Sequence, residues 1–204
     1  MSLIGENLSF GYNKNSILFE NLDIEIKKDE IIGLRGYSGS GKTTLGKVLA
    51  GYLPMRTGRI YVNEKLQNDK LKFNPVQMIH QHPEKSINPR WKIHKVLEES
   101  DIEKEYIMEK FGISHDWLNR WPIELSGGEL QRFCMARAFD KRTEFIIADE
   151  ITTMLDGITQ ANIWKTITEL CDSKKIGLMV ISHDKALLNK LCTRIIDFNE
   201  LVKT

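Results

Sequence analysis

Gly36-Tyr37-Ser38-Gly39-Ser40-Gly41-Lys42-Thr43-Thr44 sets a glycine, four residues and then Gly-Lys-Thr, the spacing of a phosphate-binding loop. The residue types suit that chemistry. Glycines let the backbone turn tightly enough for several N–H groups to converge on phosphate oxygens, and a helix starting behind them adds the positive end of its dipole. Lys42 is placed to reach the β- and γ-phosphates, and the Thr43 hydroxyl to ligate Mg²⁺. Out of context these residues would make a Gly/Ser-rich surface turn. Here the apolar run Ile31-Ile32-Gly33-Leu34 precedes them, and Leu45-Gly46-Lys47-Val48-Leu49-Ala50 follows with helical spacing. That is the strand-loop-helix setting the loop requires, and it predicts binding of a nucleoside triphosphate.

Two further stretches carry matching chemistry. Phe145-Ile146-Ile147-Ala148 is an apolar strand that ends on Asp149-Glu150. The carboxyl end of a parallel strand faces the ligand crevice, so Asp149 is placed to orient Mg²⁺ and Glu150 to polarise an attacking water. Without the upstream loop, the pair would read as a solvated strand end. In Leu125-Ser126-Gly127-Gly128-Glu129-Leu130-Gln131-Arg132, Ser126 and Glu129 have the spacing of a capping box at a helix start. A cap alone does not account for two consecutive glycines, each of which costs a helix roughly 1 kcal/mol relative to alanine. They suit a second bare-backbone grip on phosphate.

The elements that must position these groups can be read from periodicity. Leu8-Ser9-Phe10-Gly11-Tyr12 and Leu22-Asp23-Ile24-Glu25-Ile26 alternate around the turn signal Asn13-Lys14-Asn15, predicting two antiparallel strands as an edge beside the loop strand. Gly51-Tyr52-Leu53-Pro54 stops the loop helix. Strands are expected over 58–62 and over 75–81, ending near Gln81. From 83 to 140 β-branched runs vanish and helical spacing takes over, predicting a mostly helical insertion. A helix over 160–170, a strand over 177–181 and a last short strand over 194–198 complete a mostly parallel α/β sheet with helices on both faces.

Composition bounds the partners. The 204 residues suffice for one domain with an inserted subdomain. Lys+Arg 29 against Asp+Glu 28 leaves a net charge of +1, which gives no electrostatic case for nucleic acid. Cys134, Cys171 and Cys192 have no metal-ligand spacing and read as free core thiols in a reducing compartment. No secretory signal pattern and no transmembrane-length apolar run is present, so the chain is expected to be soluble and cytosolic, reaching a membrane only by docking on something that spans it.

Together, the loop at 36–44, the signature-like segment 125–132 and the Asp149-Glu150 strand end resemble the motif set of the ATP-binding cassette (ABC) ATPases. Further positions match that family's pattern in order along nearly the whole chain. Tyr12 stands at its base-stacking aromatic, Gln81 at its strand-end glutamine, Leu155-Asp156 at its acidic loop and His183 at its histidine after a strand. Two stretches depart: Ile151-Thr152-Thr153-Met154 stands where the family commonly has proline and serine-alanine, and Asp29-Glu30 where Gly-Glu is usual. Gln81-His82-Pro83-Glu84-Lys85-Ser86-Ile87-Asn88-Pro89-Arg90 is similar to the Q-D-P-x-x-S-L-N-P-R pattern of the peptide and nickel importer ATPases.

The resemblance implies one ABC ATPase domain over 1–204. It would have a P-loop NTPase (RecA-like) core at 1–82 and 141–204, and a helical subdomain at 83–140 carrying the signature. It implies ATP bound by Tyr12, Gly36, Ser38, Gly39, Ser40, Gly41, Lys42, Thr43 and Thr44, and Mg²⁺ at Thr43, Gln81 and Asp149. Catalytic roles fall on Glu150, His183 and Gln81. Ser126, Gly127, Gly128 and Glu129 would grip the ATP of a partner subunit, and Asp156 would lie at the dimer interface. The implied partners are a second, different ABC ATPase subunit, integral-membrane permease subunits and, indirectly, an extracytoplasmic solute-binding protein. The implied work is uptake of a small solute (peptide, nickel or a metallophore) at the cytoplasmic face of the cell membrane. The competing class is a soluble ABC-type ATPase acting in macromolecular assembly or repair.

Overall fold

A computed structural model describes residues 1–13, 16–67, 73–153 and 155–202. Lys14 and Asn15 of the expected first turn, and Met154 of the atypical 151–154 stretch, lie outside the described residues.

The described strands make two sheets. The N-terminal strands β1 (Ser2–Phe10) and β2 (Phe19–Lys27) pair antiparallel, as their alternation predicts. With β4 (Thr57–Val62) and β5 (Lys65–Leu66) they form a sheet of their own, in the order β2-β1-β4-β5. The second sheet is parallel. It contains β3 (Ile31–Arg35), β6 (Val76–Ile79), β7 (Phe145–Asp149), β8 (Gly177–Ile181) and β9 (Arg194–Asp197), in the order β6-β7-β8-β3-β9.

Every residue of β7 and β8 is buried, because helices and the antiparallel sheet cover both faces. The two faces feed different cores, as the two-residue strand period requires. Ile146, Ala148, Leu178 and Val180 join the helical side. Phe145, Ile147, Met179, Ile181, Ile32 and Leu34 pack with the antiparallel sheet and the loop helix α1 (Lys42–Leu49).

Between β6 and β7 there is no strand, only α2 (His94–Glu98), α3 (Lys104–Phe111), α4 (Gly127–Ala138) and three 3₁₀ turns. Asp140 anchors this segment back to the sheet. Its fully buried carboxylate accepts from the Asp101 backbone N–H at 2.7 Å and from the Arg142 guanidinium at 2.8 and 2.6 Å. Arg142 in turn stacks on the Phe73 ring at 4.0 Å.

Several boundaries differ from those the sequence suggested. The helix expected over 160–170 is α5 (Gly157–Lys174). It starts earlier because Asp156 caps it, and it ends at Lys175 in a left-handed conformation. Its buried stripe Ile163, Trp164, Ile167, Leu170, Cys171 has helical period. An additional helix, α6 (Lys185–Leu191), starts at Asp184, whose side chain accepts from the Ala186 and Leu187 amides. The final strand stops one residue short: Asp197 caps α7 (Phe198–Leu201), which turns Phe198 from a strand residue into the first residue of a helix. The strand expected to end near Gln81 ends at Ile79. The three cysteines are free; Cys134 and Cys171 are buried in the core, whereas Cys192, expected there too, is only partly buried. Burial pushes the three thiols up to about 11, 12 and 11, so they stay protonated at neutral pH.

Candidate functional site

The strand order fixes the site. β3 lies beside β8, and β8 beside β7, all parallel, with Leu34 level with Ile181 and Ile181 level with Asp149. The residues that follow each strand therefore emerge at one edge. From β3 comes the 36–41 loop, from β7 Asp149-Glu150, and from β8 Ser182-His183.

The loop curls as its glycines permit. Gly39 and Gly41 have φ of 78° and 115°, conformations that side chains resist. Two apolar residues support it from behind. A Cβ built on Gly41 would lie 3.0 Å from Leu18 Cδ2 and 3.2 Å from Phe198 Cζ, and one on Gly36 would lie 3.2 Å from Phe198 Cβ. The Phe198 side chain thus runs beneath the loop from one end to the other. Lys42 arches back over the turn and donates from Nζ to the carbonyls of Gly36 (2.9 Å) and Tyr37 (2.8 Å). Burial lowers its pKa, opposed by the charges of Glu150, Asp149 and Asp197. Ser40 Oγ is buried without a hydrogen-bond partner.

Thr43 Oγ1 donates to Asp149 Oδ1 at 3.1 Å. The Asp149 carboxyl is nearly inaccessible, and burial raises its pKa; the Glu150 charge adds to the shift, while Thr43, Lys47 and Lys42 oppose it. A cavity of about 430 Å³ joins Thr43 and Asp149 to Gln81, two residues beyond β6. A hydroxyl, a carboxylate and an amide carbonyl make a hard oxygen donor set, which suits Mg²⁺ completed by phosphate and water oxygens. Among the described residues no cluster of three His, Cys, Asp or Glu side chains offers an all-protein metal cage.

Glu150 is the strained residue of the site, with φ of 51°. Its Oε1 accepts from the His183 backbone N–H at 3.0 Å and lies 2.8 Å from His183 Nδ1. Its Oε2 is buried without a partner. The carboxylate is therefore held through one oxygen, while the other has no hydrogen-bond partner. Tyr12 stands apart, 66% exposed, with its hydroxyl 2.9 Å from Thr44 Oγ1 and its ring edge-on to Phe10 at 5.0 Å. That leaves a ring face for an aromatic base.

The second glycine pair opens α4. Ser126 Oγ accepts from the Glu129 amide at 3.3 Å, and Glu129 Oε2 accepts from the Ser126 amide at 2.7 Å. That bond holds the Glu129 carboxyl below its usual range. The capping box is thus real, and Gly127 next to it faces open space: a Cβ there would meet nothing within 4 Å. The same holds for Gly39 in the loop. Asp156 is committed to its own helix. It accepts from the Thr159 hydroxyl at 2.6 Å and from the Thr159 and Ile158 amides, which lowers its pKa.

The structure thus gathers the 36–44 loop, Asp149, Glu150, His183 and Gln81 at one edge of the sheet. Sequence reasoning missed the supports: Leu18 and Phe198 under the loop, and Thr152, Gln160 and Trp164 behind Glu150. The sequence held one clue, since Asp197-Phe198-Asn199 has the polar spacing of a helix cap.

Comparison with known proteins bears on the fold and the family. The ABC transporter family model matches residues 19–153. The nickel import system ATP-binding protein NikE of Staphylococcus aureus (strain bovine RF122 / ET3-1) is 32% identical, with 94% of this chain and 84% of that protein aligned. Its counterpart in strain USA300 is 31% identical over the same shares. Among solved structures, a dimeric bacterial ABC transporter cassette superposes with a TM-score of 0.82 at 22% identity, covering 96% of this chain and 93% of that one. CbiO1 from Clostridium perfringens, part of the ABC transporter complex cbiONQ, gives 0.78 at 21% identity, covering 96% and 83%. These are the fold that the motifs led one to expect. The chain belongs to the ABC transporter family, as one of its ATP-binding, ATP-hydrolysing domains.

Proposed function

We propose that the chain powers an importer of a small solute (a peptide, nickel or a nickel chelate) as one of two ATPase subunits that close on ATP. The observation that carries the importer reading is the 32% identity, over 94% of the chain, to a nickel import ATP-binding protein. The segment 81–90 points the same way. In this reading the partner is a different ABC ATPase subunit, the pair docks on integral-membrane permease subunits at the cytoplasmic face, and an extracytoplasmic binding protein delivers the solute. The core is 1–82 with 141–204, and 83–140 is the helical subdomain facing the permease. No helix among the described residues is long and apolar enough to cross a membrane; in this reading the permease subunits provide the solute path.

The chemistry follows from the site. The adenine stacks on Tyr12. The loop amides of 36–44 and the Ser40 hydroxyl receive the phosphates, and Lys42 exchanges its carbonyl partners for β- and γ-oxygens. Thr43, Asp149 and Gln81 hold Mg²⁺, which when bound neutralises charge on the triphosphate. Glu150 orients the attacking water through its free Oε2 and draws its proton, while His183 fixes Oε1 and lies toward the γ-phosphate. The open backbones at Gly39 and Gly127 support a two-sided site: the loop of one subunit faces Ser126, Gly127, Gly128 and Glu129 of the other, with Asp156 at the seam.

The test is uptake and fractionation. In cells carrying Glu150→Gln in place of the natural chain, uptake of labelled nickel or of a peptide should fail, and the natural chain should purify with polytopic membrane subunits. Unchanged uptake of both solutes, with the chain recovered only in a soluble complex, would instead support an ABC ATPase of assembly or repair.

A further inference from the structure

The backbone just beyond Glu150 is held in an unusual way. Glu150 has φ of 51°, a left-handed conformation that is strained for a side-chain-bearing residue and persists only where the surroundings enforce it. Upstream, the pairing of β7 with β8 reaches into it: the Glu150 amide donates to the Ile181 carbonyl of β8 at 3.0 Å. Downstream, the Glu150 carbonyl accepts from the Thr153 hydroxyl at 3.1 Å, a bond inside the turn itself. Packing holds one side of the turn: Ile151, 4% exposed, sits in the helical-side core. A cavity of about 250 Å³ lies between this turn and the His183 side, bordered by Glu150, Thr152, Trp164, His183 and Leu187.

The hydrogen-bonded anchor to a rigid element is Thr152. It is 3% exposed, and its Oγ1 accepts from Trp164 Nε1 at 3.0 Å and from Gln160 Nε2 at 2.8 Å. Both donors stand on α5, the longest helix among the described residues, and two donors fill both lone pairs of one hydroxyl. A buried indole N–H needs a partner, so the pairing also satisfies Trp164.

We infer that Thr152, gripped by Trp164 and Gln160, is a positioning residue for Glu150. It fixes the turn to α5, so that Oε1 meets His183 and Oε2 stays aimed at the water. The inference rests on the proposed role of Glu150. It names three side chains, Thr152, Trp164 and Gln160, that act on the rate without touching ATP.

The test is steady-state ATPase kinetics and thermal melting of the full chain carrying Thr152→Val, Thr152→Ser, Trp164→Phe and Glu150→Gln. A displaced group can cost about 10²-fold in rate, so Thr152→Val should lower kcat about ten- to a hundredfold. Its KM for ATP should stay within about twofold, the pattern of an interaction made only in the transition state. Thr152→Ser, which keeps the hydroxyl, should restore kcat. Trp164→Phe, which leaves the Gln160 bond, should fall in between even if Thr152→Val folds poorly. In the Glu150→Gln background, Thr152→Val should add no further loss. Natural kcat in Thr152→Val or Trp164→Phe, with Glu150→Gln inactive, would overturn the positioning role and leave that of Glu150 standing. So would a loss in which kcat and KM worsen together and serine gives no rescue. A fully active Glu150→Gln would remove the role of Glu150 itself.

Discussion

Phe198→Ala removes the support beneath the phosphate loop. Phe198 is 1% exposed, meets the Phe19 ring at 6.2 Å and runs from Gly36 to Gly41. Truncating a buried phenylalanine to alanine costs about 3–5 kcal/mol, the lost burial plus the cavity left behind. In a chain of this size each kcal/mol shifts the melting temperature by about 2–4 °C, so a fall of about 12 °C is expected. Collapse into the new space would also let the loop sag, and its amides would no longer converge as before. ATP affinity should then weaken by about tenfold, which is 1.4 kcal/mol. Phe198→Leu keeps most of the volume and should lose less than half as much of each. The assay is thermal melting by circular dichroism, with titration of a fluorescent ATP analogue at a temperature where every variant is folded. A melting temperature within about 2 °C of the natural chain would refute the packing argument, being less than 1 kcal/mol. A large fall in stability with unchanged ATP affinity would refute the link from Phe198 to the loop.

Two further predictions follow from buried carboxylates of opposite behaviour. Burial raises the pKa of Asp149, so its ionised form disfavours the native state at neutral pH. Asp149→Asn still accepts from Thr43, and should melt at the same or a higher temperature while losing Mg²⁺-dependent ATPase, a stability–activity trade-off. Asp140 goes the other way: burial acts to raise its pKa, but the Arg142 and amide hydrogen bonds outweigh it and hold the group below 3.8. Its contribution is fully present above about pH 4 and is lost as pH falls through the depressed value. Denaturant unfolding of Asp140→Asn between pH 7 and 3 should therefore show lower stability at pH 7 and a shallower decline in acid. Parallel curves would contradict the assignment.

How much of this the sequence revealed depends on the range of each interaction. The loop at 36–44, the Asp149-Glu150 strand end and the Ser126-Glu129 box are set by local spacing, and the structure has each in the expected element. The alternation of β1 and β2 was likewise legible, but their union with β4 and β5 into a separate sheet was not, because pairing partners are non-local. The supports were hidden for the same reason. Phe198 meets the loop across more than 150 residues, and Thr152 gains its meaning only from Trp164 and Gln160 on the next helix. Helix ends shifted where a capping Asp took over from periodicity, at Asp156, Asp184 and Asp197. Single-residue signals of that kind are easily missed beside an apolar stripe.

The central claim is that Glu150 directs the water that cleaves ATP held by the 36–44 loop. The most direct measurement is single-turnover hydrolysis of γ-labelled ATP by Glu150→Gln beside the natural chain, with ATP binding measured in parallel. Loss of a positioned general base costs about 10²–10⁴-fold, so hydrolysis should fall by at least that lower bound while ATP binding stays within a few-fold. Hydrolysis by Glu150→Gln at the natural rate, with ATP bound equally well, would contradict it.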